Sequence, residues 1–213
     1  SFPKPHAPLD PPAAFAALYD PRRVPPPRGG PELLADRAPI IERVRVTHAI
    51  ASLSPAAVRV IRAYYYGLIT HQDLQVGRVL RALEEARLAG DTVVVYTSDH
   101  GDLMGDFGGF FKCNFLEGSA RVPLLVAGPG VVPGRRRQLA GLQDILPTLA
   151  ALAGLPLGEP VHGRDLSAAL RDPDAPGREL FYSQCLDAPQ QMAMVTDGRW
   201  KYCYAQQGPT EEL

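Results

Sequence analysis

The chain has 213 residues, 46% of them apolar and 21% charged, which supports a sizeable core and excludes an intrinsically disordered protein. With 22 basic and 23 acidic residues the net charge is -1, so no global field favours nucleic acid or an anionic membrane surface. The longest apolar stretch, Ile145 to Leu157, carries Pro147, Gly154 and Pro156 and is too short to span a bilayer.

Residues 1–39 read as a mostly extended, proline-rich segment in which Pro25-Pro26-Pro27 blocks any helix. So long a segment without regular structure is expected to wrap a site or cover a surface. Residues 40–50 are compatible with a short helix. Ser54-Pro55 is a helix start, an N-cap followed by proline at the first helical position. Apolar residues continue at helical spacing from Val58 to Leu83, and Gly90 is the expected stop, with Gly67 or Gly77 as a kink.

Thr92 to Thr97 is β-branched and apolar on both faces, the pattern of a buried parallel strand, and Val122 to Ala127 reads as a second. A glycine-rich loop, Ser98 to Ser119, joins them, and Leu142 to Ala153 reads as a second helix. This order is the grammar of an α/β layer. The last third changes character: Glu179–Gln184, Met192–Thr196 and Arg199–Tyr204 are short strands, with Asp197-Gly198 as a hairpin turn. The expected division is an α/β domain over 1–165 and a small antiparallel β subdomain over 166–213. Arg135-Arg136-Arg137 reads as a solvated face. The three cysteines lack CxxC or zinc-ligand spacing and are expected to be free thiols.

Ligand sites in open α/β sheets form beyond the carboxyl ends of strands. Here the strand runs directly into Ser98-Asp99-His100-Gly101-Asp102, where a carboxylate and an imidazole side by side can turn toward one cation. Lys112 stands at the far end of the glycine-rich loop. It is one of only three lysines among 22 basic residues, with Lys4 and Lys201, and a compact point charge suits neutralisation of one anionic oxygen.

The stretch TSDHGDLMGDFGGFFKCNFLEGSARVPLLVAGPG, Thr97 to Gly130, closely resembles the metal-site strand and following loop of the sulfatases, within the alkaline-phosphatase-like superfamily. Pro5-His6-Ala7-Pro8, Tyr64-Tyr65-Tyr66-Gly67, the run Leu142 to Thr148, Gly163-Arg164-Asp165-Leu166 and Trp200-Lys201-Tyr202 extend the likeness over nearly the whole chain. Its flavour is that of the choline sulfatase and phosphonate monoester hydrolase branches. The resemblance implies part of a mixed sheet flanked by helices, namely the C-terminal half of a sulfatase catalytic domain. It implies Asp99 and His100 as metal ligands, Lys112 as the sulfate contact, and His6 as the histidine beside the ester oxygen. The implied cation is Ca2+, with Mn2+ or Mg2+ as alternatives. Glu117 and Arg121 read as an internal ion pair bracing the loop.

The sulfatase nucleophile is a formylglycine made in a Cys-x-Pro/Ala-x-Arg or serine equivalent motif, and no cysteine or serine here stands in one. The family's paired aspartates after its first strand are likewise absent. The nucleophile, formylglycine and remaining ligands are therefore expected in an N-terminal part or a second chain, which becomes the expected partner beside a small sulfate ester. Self-association, with neither nucleic acid nor a membrane span, completes the expected set. Three readings stay open: a partial sulfatase inactive by itself, part of a phosphonate monoester hydrolase or phosphodiesterase, or a truncated non-catalytic module. The compartment, cytoplasm or periplasm for a soluble protein, is open too.

Overall fold

The computed structural model describes residues 1–34, 52–185, 191–206 and 211–212. The short helix considered for 40–50, with His48, lies outside the described residues. The described chain divides into two units, Ser1–Arg87 with Asp102–Lys112, and Leu88–Gly101 with Cys113–Leu213.

The first unit is organised by one helix. Helix α1, Ala13–Ala16, is a single turn in the proline-rich segment, and α2, Pro55–Glu85, runs for 31 residues. Ser54 caps α2 by accepting the Ala57 N–H at 3.2 Å, with Pro55 behind it where no N–H is needed. The helix ends before the expected glycine: Arg87 adopts φ 59° and a 3-10 turn at Ala89–Asp91 follows. Left-handed backbone just past the last helical turn ends α2 without Gly90. Gly67 makes no kink, since the helix is continuous through it. A Cβ there would stand 2.8 Å from the Phe15 carbonyl oxygen, so its role is close approach of α1.

The proline-rich segment does wrap this helix. Tyr19 Oη bonds Thr70 Oγ1 at 2.6 Å, Tyr19 and Tyr66 rings lie 5.5 Å apart, and Arg62 Nε donates to Pro25 O at 3.0 Å. Arg62 also donates to Met104 O at 2.8 Å and pairs with Asp106 at 3.3 Å. One guanidinium thereby satisfies carbonyls of two loops that have no regular partner. Buried Met104 and Phe110 pack with Leu9, Val58, Ile61, Tyr65 and Phe111. Leu68 and Leu103 are fully buried, each contributing about 2 kcal/mol of transfer energy.

In the second unit β1, Val94–Thr97, pairs with β2, Leu124–Ala127, in the register Val94↔Ala127 to Thr97↔Leu124. The pairing is antiparallel, and Leu125 is 58% exposed, so the expected buried parallel strands are not found among the described residues. A continuous apolar run marks a strand suited to burial, but it does not encode the direction of the neighbour. That direction is set by the connection, here a segment that returns β2 alongside β1.

Helix α3, Glu117–Ala120, lies in that connection. After β2 come a 3-10 turn at Leu142–Asp144, α4 at Ile145–Ala153 and α5 at Ser167–Arg171. Gly154, at φ 68°, closes α4 in the left-handed position that glycine tolerates best. Asp144, with no exposed surface, takes the Gly141 N–H and the Arg164 N–H, each at 2.8 Å, and pairs with Arg178 at 2.6 Å. Thr148 Oγ1 donates to Asp144 O and accepts the Leu166 N–H. These bonds tie the 163–166 loop to the start of α4. Arg136 is not a solvated residue: it donates to Val132 O, Ala169 O and Leu170 O, covering end carbonyls of α5.

Strands β3 (Phe181–Cys185), β4 (Met192–Thr196), β5 (Lys201–Ala205) and β6 (Glu211–Glu212) form an antiparallel sheet in sequence order, within the second unit. Met192, Met194, Cys203 and Ala205 are buried, while Tyr182 and Tyr204 face outward, the alternation a one-sided sheet requires. Gly198 at φ 87° turns the β4–β5 hairpin, and Asp197 Oδ1 accepts the N–H groups of Arg199 and Trp200. None of the three cysteines forms a disulfide among the described residues.

Candidate functional site

Asp99 and His100 follow β1 after a single intervening residue, Ser98, as their sequence position implies. His100 Nε2 lies 3.7 Å from Asp99 Oδ2, so the two side chains turn to the same side. The Asp99 carboxylate is 85% exposed. His100 Nδ1 is 2.8 Å from Gly101 O. A carbonyl can only accept, so Nδ1 carries the hydrogen and, in the neutral ring, Nε2 carries the lone pair. This is the tautomer that ligating histidines adopt, with the second nitrogen anchored to backbone. Burial acts to raise the Asp99 pKa, but the neighbouring His100 charge and the His100 N–H outweigh it, leaving the carboxyl below its ordinary value.

The donor set fits a divalent cation in part. A carboxylate and an imidazole on one side are two ligands, whereas a calcium-like ion takes six to eight oxygens. Among the described residues no group of three or more His, Cys, Asp or Glu side chains could hold a metal.

In the first unit Lys112 Nζ meets His6 Nε2 at 2.7 Å. His6 Nδ1 is 2.9 Å from Ala7 O, so here too Nδ1 carries the hydrogen and Nε2 accepts the lysine N–H. The other two lysines face carboxylates, Lys4 that of Asp10 and Lys201 that of Glu117. Lys112 faces an imidazole instead, which neutralises no charge. The four sequence-predicted residues thus form two pairs, His6 with Lys112 and Asp99 with His100, one in each unit.

The glycine-rich loop between them is shaped by carboxylates that sequence reasoning left unassigned. Asp102 Oδ1 accepts the N–H groups of Met104 and Phe111, and Asp106 Oδ1 accepts that of Arg28. Leu103 N–H donates to Phe111 O, closing the loop's base just before Lys112. The Glu117–Arg121 pair forms at 3.4 Å, but at the surface, with the side chains 54% and 83% exposed. Lys201 is the closer partner of Glu117 and also donates to Phe115 O at 2.8 Å. Burial acts to raise the Glu117 pKa, but the Lys201 hydrogen bond and charge, with Arg121, hold it below its ordinary value.

The fold is that of the α/β proteins of alkaline-phosphatase-like architecture. The chain belongs to the sulfatase family, whose model, described as Sulfatase, matches residues 1–155. It is 32% identical over 216 residues to the choline-sulfatase of Rhizobium meliloti (strain 1021), covering 99% of this chain and 42% of that protein. It is 33% identical over 190 residues to an arylsulfatase of Clostridium perfringens, covering 86% and 39% respectively. Among solved structures it is similar to the phosphonate monoester hydrolase of Silicibacter pomeroyi, with a TM-score of 0.84 and 26% identity over 97% of this chain and 46% of that one. The chain spans less than half the length of these relatives. Sulfatases as a family use a divalent metal, and no helix among the described residues is long and apolar enough to cross a membrane.

Proposed function

We propose that this chain supplies part of the catalytic apparatus of a sulfuric ester hydrolase of the choline-sulfatase kind. The observation that carries the reading is the Lys112–His6 pair, which joins an amine side chain to an imidazole across 106 residues of sequence. A sulfate monoester presents anionic oxygens and leaves behind an alkoxide. Lys112 pairs with a sulfate oxygen and offsets charge there. As Lys112 turns to the sulfate oxygen it releases His6 Nε2, and His6, protonated there from solvent, delivers that proton to the departing oxygen, work suited to an imidazole. Asp99 and His100 provide one oxygen and one nitrogen ligand to a divalent cation, calcium in our reading, with Mn2+ or Mg2+ as alternatives.

The bound cation would screen the ester's charge, and a formylglycine would supply the attacking oxygen. The formylglycine and the remaining carboxylate ligands lie outside these 213 residues, on an N-terminal part or second chain that is the partner of this one. By itself the chain is inactive in this reading. The products are the alcohol and sulfate, one water being consumed.

A second reading, hydrolysis of phosphonate monoesters or phosphodiesters, is favoured by the likeness to the Silicibacter pomeroyi enzyme. Both reactions use the same cation and the same anion-pairing lysine. The experiment isolates the natural protein and records its intact mass and N-terminal sequence. It then measures turnover of an aryl sulfate, choline sulfate and a phenylphosphonate monoester. Sulfate ester turnover that Lys112→Ala abolishes supports the first reading, and preference for the phosphonate supports the second. Turnover of none of the three overturns both and leaves a non-catalytic module.

A further inference from the structure

The two residues read as cation ligands stand on a short piece of backbone, and that backbone is held from an unexpected direction. Gly101 O accepts the His100 Nδ1 hydrogen, and Gly101 N–H donates to Ser119 O at 2.7 Å. The contact is close: a Cβ on residue 101 would stand 2.1 Å from Gly118 O. Both Gly118 and Ser119 belong to α3, a single turn with few bonds of its own, in which Ser119 is buried. The start of α3 is in turn gripped by Lys201 of β5, which donates to the Glu117 carboxylate and to Phe115 O.

The chain of contacts is therefore Lys201 to Glu117 and Phe115 O, α3 to Gly101, and Gly101 O to the His100 ring, all within the second unit. A one-turn helix is marginal without external support. If it shifts, the Ser119 carbonyl moves away from Gly101, and the peptide that selects the His100 tautomer is released. We propose that Lys201 and Glu117 are positioning residues that hold His100 in its Nδ1–H tautomer, with Nε2 presented on the side of the Asp99 carboxylate. The inference rests on the reading of Asp99 and His100 as cation ligands. It assigns to the C-terminal sheet a role in that site, reached through α3. Outer contacts of this kind fix the orientation and basicity of a ligating imidazole.

The test is the 15N spectrum of the His100 ring in the full chain, recorded without metal at about pH 8.5, roughly two units above the ordinary histidine range. The wild-type ring should be mainly Nδ1–H. In Lys201→Met and in Glu117→Gln the Nδ1–H to Nε2–H ratio should fall by about threefold or more, a fraction of one net hydrogen bond. Lys201→Arg, which keeps the cation, should restore it. The hydrogen-bonded amides of the β4–β5 pair report whether each variant is folded. Should Lys201→Met not fold, Glu117→Gln, at a more exposed position, decides the matter. A folded variant lacking the Glu117–Lys201 pair but retaining the wild-type tautomer overturns the proposal. So does loss of the tautomer in Lys201→Arg to the same extent as in Lys201→Met. A separate arm adds Mn2+ to the wild-type chain and follows broadening of the His100 ring proton. Absence of broadening at millimolar Mn2+ counts against the ligand reading, whereas the tautomer ratios judge the brace.

Discussion

Lys112 Nζ lies 2.7 Å from His6 Nε2, with the far nitrogen of the same ring held by Ala7 O. The lysine is thus directed by an imidazole rather than by a carboxylate, and its charge is not cancelled by the contact. In the proposed reaction an arriving sulfate ester would take Lys112 from the ring and leave His6 Nε2 open to carry a proton. In the enzyme that contains this chain, Lys112→Ala should lower kcat for a sulfate ester by about 10²–10³-fold, the loss typical of one preorganised electrostatic contact. His6→Ala should cost about 10²–10⁴-fold, with the smallest loss for esters of the most acidic alcohols, which need no proton to leave. Equal losses across a series of aryl sulfates of rising leaving-group acidity would remove His6 from that role.

Alone, the 213-residue chain should not hydrolyse sulfate esters, because no cysteine or serine in it stands in a formylglycine motif. It should bind calcium more weakly than about micromolar, since one carboxylate and one imidazole leave most of the shell to water. Turnover above a Lys112→Ala control, or tighter binding by calorimetry, would show that the chain carries more of the site than proposed.

Asp144 and Arg178 form the most deeply buried ion pair among the described residues, with side chains 0% and 8% exposed. Asp144→Ala removes that pair and the acceptor of two backbone N–H groups, leaving Arg178 buried without its carboxylate. The expected loss is about 3–5 kcal/mol in urea unfolding, as for one partner removed from a buried pair. Arg178→Met, which keeps much of the side chain's bulk, should cost less, because Asp144 retains the Gly141 and Arg164 N–H groups.

The hairpin of β4 and β5 should have an acid limit set by Asp197. The Trp200 and Arg199 N–H groups hold its carboxyl below the ordinary value of 3.8. A lowered folded pKa means that the charged form is favoured by folding. Its contribution is complete above the unfolded value and is lost as pH falls through the folded one. Hydrogen exchange should therefore show the Trp200 amide protected down to about pH 4, taking the ordinary aspartate value as the boundary. Protection should then fade as the acid is formed. In Asp197→Ala the protection should be low throughout and independent of pH in that range.

Much of the local structure was legible from short-range chemistry. Asp197-Gly198 specified a hairpin because a left-handed glycine and an aspartate that accepts following N–H groups are both local requirements. Ser54-Pro55 located the start of α2 to the residue for the same reason. Gly90 misled as a stop because a glycine is sufficient but not necessary for left-handed backbone, and Arg87 adopts it first. Asp144 has one local contact, its carboxylate taking the Gly141 N–H three residues earlier, but nothing nearby marked it as the partner of Arg178.

By itself the sequence determined the element types, the family and the identity of the four candidate site residues, since these depend on neighbouring residues, spacing and motif. Tertiary structure decided the rest. That β1 and β2 run antiparallel depends on how the intervening segment returns, which no local propensity encodes. That Lys112 faces His6, that Arg136 covers the end of α5, and that Lys201 grips the start of α3 depend on long side chains reaching partners from 33 to 106 residues away. Rotamer and partner are chosen only after the backbone has closed, because an ammonium or guanidinium is equally well solvated until a particular acceptor comes within hydrogen-bonding distance.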